Sequence, residues 1–95
     1  MKKLESPKNQ KSMAIRLLID YGSKGVTMKD AVKDYFYKFN TRLNEVEKAH
    51  PKLKVRRLRM NAKNRFGHSV SFLNYKSIAP TKYLINLYNV LNKEK

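Results

Sequence analysis

The spacing of apolar residues changes near Pro51, and this change sets the fold class of the chain. Before it, apolar residues recur every three or four positions, as they do on one face of a helix. After it, Leu58, Met60 and Ala62 alternate with arginine and asparagine, which is the pattern of a half-buried strand. The β-branched and aromatic residues of 68–77 predict a returning strand. The sequence therefore predicts helices followed by a β-hairpin.

The ends of this hairpin carry two further signals. Val55 is out of phase with Leu58, so we expect either a bulge between them or a strand that begins near Arg56. Gly67 suits a left-handed position in a longer hairpin loop. Phe66 beside it has no reason to lie in water unless the tip of the hairpin touches something.

Two helices are predicted at the start of the chain. The first covers about residues 8–21, with Ser6 as its N-cap. The second covers about 28–37, with Thr27 as its N-cap and Asp30 completing a weak capping box. No glycine or proline marks the end of this second helix.

A third helix follows, with Asn40 or Thr41 as its N-cap. It ends at Pro51, because the residue before a proline avoids the α region. The aromatic residues just before this helix have the spacing of a core cluster, although stacking on single-stranded bases is the alternative. They are Tyr35, Phe36, Tyr37 and Phe39.

A last helix is predicted over about 81–92. Its wide apolar stripe indicates either a dimer interface or packing across the first helix of the same chain. The residues of this stripe are Tyr83, Leu84, Ile85, Leu87, Tyr88, Val90 and Leu91. We divide the chain into a flexible N-terminal tail over 1–7, a domain over 8–78 and this C-terminal helix over 79–95.

The element order and several short motifs resemble a known family. Thr41-Arg42-Leu43 opens the third helix, Lys63-Asn64-Arg65-Phe66-Gly67 forms the hairpin tip, and Tyr75 lies near the end of the second strand. This pattern resembles the winged helix-turn-helix domains of small phage and prophage DNA-binding proteins, over about residues 12–78. The resemblance implies an α+β winged helix: three helices, a two-stranded basic wing and a C-terminal helix. One departure is that YFYKFN, between Asp34 and Thr41, is longer than the tight turn of that family.

The charge of the chain indicates a polyanionic partner. Lysine and arginine number 22 against 7 acidic residues, and the formal net charge is +15. No acidic residue lies between Glu47 and Glu94, while basic residues are frequent there. A basic region of this kind points to DNA, RNA or an anionic membrane surface.

Composition excludes several other classes. The chain has no cysteine, and its 2 histidines do not make a metal site without further ligands. It contains no run long enough to span a membrane and no signal peptide, so we expect a cytoplasmic protein of a bacterial or phage-infected cell. No catalytic motif is present, so we expect neither an enzyme nor a cofactor.

The candidate contacts with DNA fall into two groups. In the third helix they are Thr41, Arg42, Asn44 and Lys48; in the wing they are Arg56, Arg57, Arg59, Lys63, Arg65 and Phe66. Arginine and asparagine can hydrogen-bond base edges, and a basic hairpin can bind phosphates. A solvated helix face is the alternative for the third helix, because the carboxylates of Glu45 and Glu47 repel phosphates. Phe66 contacts either a sugar or bases, or packs back on Phe72 or Tyr75.

Two functions of different classes follow. The first is a DNA-binding regulator or accessory factor of a phage or mobile element, which binds duplex DNA and forms a homodimer if the last helix is an interface. The alternative is a protein-interaction module, such as a phage-type inhibitor, whose basic face binds an acidic host protein. RNA binding has less support, because no RNA-binding motif is present.

Overall fold

The structure, a computed structural model, describes residues 4–93 and has an α+β fold. Its sheet is antiparallel and three-stranded, in the order β1-β3-β2. In chain order the elements are α1 (Gln10–Tyr21), a short 3-10 turn (Gly22–Lys24), β1 (Val26–Thr27), α2 (Met28–Lys33), α3 (Phe39–Ala49), β2 (Val55–Lys63), β3 (Ser69–Ser77) and α4 (Thr81–Lys93).

The N-cap of α1 is Asn9, and the prediction of Ser6 is wrong. The Asn9 Oδ1 accepts a hydrogen bond from the Ser12 N–H at 2.8 Å, and the Ser12 Oγ accepts one from the Asn9 N–H at 3.3 Å. Serine is acceptable at this reciprocal position, so the two residues form a capping box of their own. The predicted Thr27–Asp30 box of α2 is confirmed.

Residues 4–8 lie along α4 and are held there by hydrogen bonds. The Lys8 N–H donates to Asn92 Oδ1 at 3.0 Å, and the Asn92 Nδ2 donates to the Ser6 carbonyl at 3.3 Å. Leu4 packs against the core. This part of the predicted N-terminal tail is therefore anchored, while residues 1–3 lie outside the described part of the chain.

The segment between α2 and α3 differs from the prediction at both ends. Helix α2 ends at Lys33, and two residues later Tyr35 has a φ of +58°. Helix α3 begins at Phe39, and neither Asn40 nor Thr41 is its N-cap. The cause is burial of two phenylalanines. Phe36 and Phe39 enter the core at 2% and 0% exposure, with their rings edge to face at 6.0 Å.

The aromatic cluster is accordingly divided. Its two phenylalanines belong to the core, as the spacing indicates, whereas Tyr35 and Tyr37 are 82% and 64% exposed. A left-handed residue followed by a buried one turns the chain sharply, so the connection between α2 and α3 covers residues 34–38. Sequence periodicity alone did not reveal this turn, because the apolar residues continue through it.

The hairpin of β2 and β3 runs without a bulge, so the first of the two alternatives after Val55 is wrong; the strand begins at Val55, one residue before Arg56. Its register is continuous from Val55 opposite Ser77 to Lys63 opposite Ser69. We call the side that carries Arg57 and faces α3 the inner face, and the side that carries Arg56 the outer face. Val55 lies on the inner face and packs against the core, which explains its phase.

The apolar alternation of β2 does not mark a buried face. Leu58 and Met60 are 36% and 43% exposed, and Ala62 is also exposed. Strand β1 pairs with β3 only at Tyr75 and Asn74, so the hairpin beyond these residues projects as a two-stranded ribbon. Alternation indicates which residues share a face of a strand, but not whether another element covers that face.

The core lies between α1, α3 and α4 and is closed by the base of the sheet. The stripe of α4 packs on α1, with Leu84, Leu87, Tyr88 and Leu91 at 0–5% exposure. Each such side chain contributes about 2 kcal/mol by burial. The apolar stripe that suggested a dimer is therefore largely buried within one chain, although Val90 remains 50% exposed. Self-association through α4 stays an untested prediction.

Strand β1 is an element that the sequence did not indicate, and its pairing with β3 depends on Gly25. Gly25 has a φ of +82°, and a Cβ at this position would lie 1.8 Å from Asn74 Oδ1. The Asn74 Nδ2 donates to the Lys24 carbonyl at 3.4 Å. The absence of a side chain thus lets the start of β1 lie directly against β3.

We predict that Gly25→Ala lowers the free energy of unfolding by about 2–4 kcal/mol, because it combines backbone strain with displacement of Asn74. Gly67→Ala is the matched control: its φ is +81°, but its Cβ would meet nothing within 4 Å. This control should cost about 1–2 kcal/mol. Urea unfolding measures both values, and equal losses would contradict a close approach at Gly25.

Candidate nucleic-acid interface

Arg57 joins the base of the hairpin to α3. Its Nη2 donates to Asn44 Oδ1 at 2.8 Å and also to Glu47 Oε1, and its Nη1 donates to Glu47 Oε2 at 3.3 Å. The guanidinium lies over the ring of Tyr75, with Cζ 5.4 Å from the ring centroid. The hydrogen bonds that Arg57 donates to the Glu47 carboxylate raise the pKa of Arg57 above its usual value. Arg57 is therefore a structural link as well as a cation.

Arg42 makes a similar link between α3 and α1. Its Nη1 donates to the Glu45 carboxylate at 2.9 and 3.1 Å, and its Nε donates to Gln10 Oε1 at 2.7 Å. The hydrogen bond from Arg42 lowers the pKa of Glu45, which stays ionised and paired. The arginine predicted to read bases is thus engaged within the protein.

These pairs change the electrostatics of α3. Glu45 and Glu47 were the reason to regard the helix as a solvated face, since carboxylates repel phosphates. Each is now neutralised by an arginine at hydrogen-bonding distance. The negative charge of α3 is cancelled locally, so the helix does not oppose a polyanion.

The surface of α3 that remains exposed carries three of the predicted site residues. Leu43 and Val46 are 0% and 1% exposed and face the core. Thr41, Asn44 and Lys48 lie on the opposite side, at positions spaced by three and four, and all are exposed. The Asn44 Oδ1 accepts a hydrogen bond from Arg57, which leaves the Asn44 Nδ2 as a donor for another partner.

The hairpin presents cations that are unpaired within residues 4–93. Arg59 and Lys63 lie on the inner face with Asn61 between them, and Arg56 lies on the outer face. All are exposed. Because the strands alternate, only part of the predicted wing set faces the same side as α3.

The tip of the hairpin is a defined turn that displays Arg65 and Phe66. The Asn64 Oδ1 accepts hydrogen bonds from the N–H groups of Phe66 at 2.9 Å and His68 at 3.1 Å. The Gly67 N–H donates to the Asn64 carbonyl at 3.0 Å. An asparagine that bonds its own following backbone is a common way to fix such a turn.

Phe66 points away from the body of the protein. It is 69% exposed, and the guanidinium of Arg65 lies over its ring, with Cζ 4.7 Å from the centroid. The alternative in which Phe66 packs back on Phe72 or Tyr75 is therefore wrong. Tyr75 is instead buried against Phe39, with ring centroids 5.2 Å apart.

Comparisons with known proteins add no relatives. The chain matches no protein-family model, and no curated protein or solved structure is detectably similar to it. Within residues 4–93, no helix has the length and apolarity needed to cross a membrane, and no three histidine or acidic residues cluster as metal ligands.

We predict that Arg57→Ala lowers the free energy of unfolding by about 1–2 kcal/mol, because it leaves Glu47 without its partner in a partly exposed position. Arg59→Ala is the matched control on the same face of the same strand and should change stability by less than about 0.5 kcal/mol. Chemical denaturation measures both. If the two variants are equally stable, Arg57 does not fasten the hairpin to α3.

Proposed function

We propose that this protein is a winged-helix protein that binds duplex DNA through α3 and the inner face of the hairpin. The observation that carries the proposal is the set of exposed, unpaired cations Arg59, Lys63 and Arg65 on a hairpin whose base is bonded to α3. The element order and the antiparallel sheet are compatible with that fold.

The link between Arg57 and Asn44 supports a continuous binding surface. Asn44 lies on the exposed side of α3 and accepts a hydrogen bond from Arg57 on the inner face of β2. Arg59 and Lys63 follow on the same face towards the tip, one and three pairs beyond Arg57. In this proposal α3 enters a groove of the duplex and the hairpin contacts the DNA backbone, and the Arg57–Asn44 hydrogen bond joins the two elements.

The contacts suggest a division of roles that differs from the sequence prediction. We assign Thr41, Asn44 and Lys48 to the DNA contact of α3, because they are exposed on one side. The Asn44 Nδ2 can donate to an acceptor on a base edge or to a phosphate, since Oδ1 already accepts from Arg57, and lysine binds phosphate as a point charge. We assign Arg42 and Arg57 to positioning, because their guanidinium groups hold Glu45 and Glu47.

The wing residues serve phosphate contact in this proposal. Arg59, Lys63 and Arg65 are long cations on a projecting hairpin, and contacts of this kind provide affinity without sequence information. Arg56 lies on the outer face, so it does not contact the phosphates directly and contributes only to the positive electrostatic potential around the hairpin. The phage or mobile-element role rests on the motif resemblance at residues 41–43 and 63–67.

We predict duplex binding that weakens steeply with salt. If about six phosphates are contacted, log affinity against log salt should fall with a slope near −5. Arg59→Ala and Lys63→Ala should each reduce this slope by about one and weaken all duplexes alike. Mobility shifts with duplex, single-stranded DNA and RNA at several salt concentrations measure these quantities.

Lys82→Ala is the charge-matched control for this experiment. Lys82 is exposed at the start of α4, an element that packs on α1 rather than on the hairpin. Its removal should leave the slope nearly unchanged. No shift at low salt, or a slope that falls equally for Lys82→Ala, would refute a localised DNA interface and favour the acidic-protein alternative.

Phe66→Ala tests the tip separately. Because Phe66 is 69% exposed and its ring lies under the exposed Arg65 guanidinium, we expect the melting temperature to stay within about 2 °C of the parent value. Duplex affinity should fall by about threefold to tenfold, since a ring placed against sugars or bases loses its contact. Fluorescence anisotropy and thermal unfolding give the two values, and unchanged affinity means that the ring does not contact DNA.

A further inference from the structure

The outer face of the hairpin is apolar although no element covers it. Met60 lies opposite Phe72, and Ala62 lies opposite Val70, so their side chains form two adjacent cross-strand pairs. Met60 and Val70 are 43% and 44% exposed. Leu58 extends this surface towards the body of the protein. These residues, Leu58, Met60, Ala62, Val70 and Phe72, are called the outer apolar patch.

A groove borders the outer apolar patch. It has a volume of about 480 Å³ and is lined on one side by Ala62, Val70 and Phe72 and on another by Lys24, Thr27 and Lys29. This volume falls within the range of about 300–1,000 Å³ typical of ligand sites. A flat apolar surface binds side chains poorly, whereas a groove can enclose two or three of them.

The charges around the groove are positive. Lys24, Lys29 and Lys63 line it, and Arg56 and Lys76 form a cross-strand pair on the outer face at the base of the hairpin. None of these five has an ion-pair partner within residues 4–93. Asp30 also lines the groove, but its carboxylate accepts hydrogen bonds from Thr27 and is held in the helix cap.

We propose that the outer apolar patch and its groove bind an acidic segment of another protein that carries two or three apolar side chains. The apolar side chains would occupy the groove, and flanking carboxylates would pair with Lys24, Lys29 and the Arg56–Lys76 pair. Such complementarity steers encounter and selects the partner.

Charge argues against the other occupants. A second copy of this chain carries +15 and would bring like-charged rims together around the patch. Duplex DNA would satisfy the cations, but it has no aliphatic side chains to fill the groove. Of the residues proposed above to contact DNA, Lys63 alone lines the groove. A lipid surface is flat, whereas Ala62, Val70 and Phe72 of the patch line a concave site.

The experiment is selection of short random peptides, displayed on phage, against the full chain. Selected peptides are synthesised, and their affinities are measured by anisotropy for the parent protein and for the double variant Met60→Thr, Val70→Thr. Threonine retains strand propensity, and both positions are exposed, so thermal unfolding should confirm that the variant is folded. Asn61→Thr is the matched control on the inner face of the same strand.

The expected result is enrichment of peptides that combine acidic and large apolar residues. Their affinity should fall by about tenfold or more for the double variant and stay unchanged for Asn61→Thr. Lys24→Gln with Lys29→Gln should also weaken them and should reduce the salt dependence of binding. The double threonine variant should retain the duplex affinity and salt slope of the parent protein.

Several results would overturn the proposal. One is a selection that yields no binders, or binders that are neutral or indifferent to the double variant. A second is parent-chain dimerisation in sedimentation that Met60→Thr, Val70→Thr abolishes, which assigns the patch to a second copy. A third is loss of duplex binding in that variant, which assigns it to DNA. Cosedimentation with anionic phosphatidylserine vesicles that the same variant abolishes assigns it to lipid.

Discussion

The position of the hairpin depends on one guanidinium group. A two-stranded hairpin is only marginally stable in water, so it must be held at its base. Tyr75 supplies the apolar part of this anchor, because it is buried against Phe39. The Arg57 guanidinium lies over the Tyr75 ring and donates hydrogen bonds to Glu47 and Asn44 of α3. Because the planar fork binds a carboxylate and an amide at once, it fixes direction as well as distance.

Ion pairs between an arginine and an acidic residue recur elsewhere in this strongly basic chain. Its acidic residues are few, and several are committed to holding elements in place: Glu47 to the hairpin, Glu45 to α1 through Arg42, and Asp20 to Arg16 within α1. Each committed acid removes a site that would repel a polyanion. The remaining cations therefore dominate the surface field, which raises the rate of association with an anionic partner.

The sequence predicted what depends on local periodicity and failed where tertiary contacts decide. The hairpin, its tip and α4 were predicted, because their spacing and turn residues are local signals. The end of α2 was not, since burial of Phe36 turns the chain where no glycine or proline stands. The role of Arg57 was also hidden, because its partner Glu47 precedes it by ten positions in another element. Such pairing has no signature in either segment.

The exposed apolar residues on the outer face of the hairpin need an explanation. Met60 and Val70 keep nearly half of their surface in contact with solvent, so the fold gains little from their being apolar. A polar residue would serve a solvated hairpin equally well and would reduce the risk of edge-to-edge aggregation. Beyond Arg57 the inner-face positions of the same strands are polar or basic except for Leu73, which packs against the core, so strand propensity is not the reason for the difference. In our two proposals the faces therefore meet different partners: phosphates at the inner face, and an acidic segment with apolar side chains at the outer face.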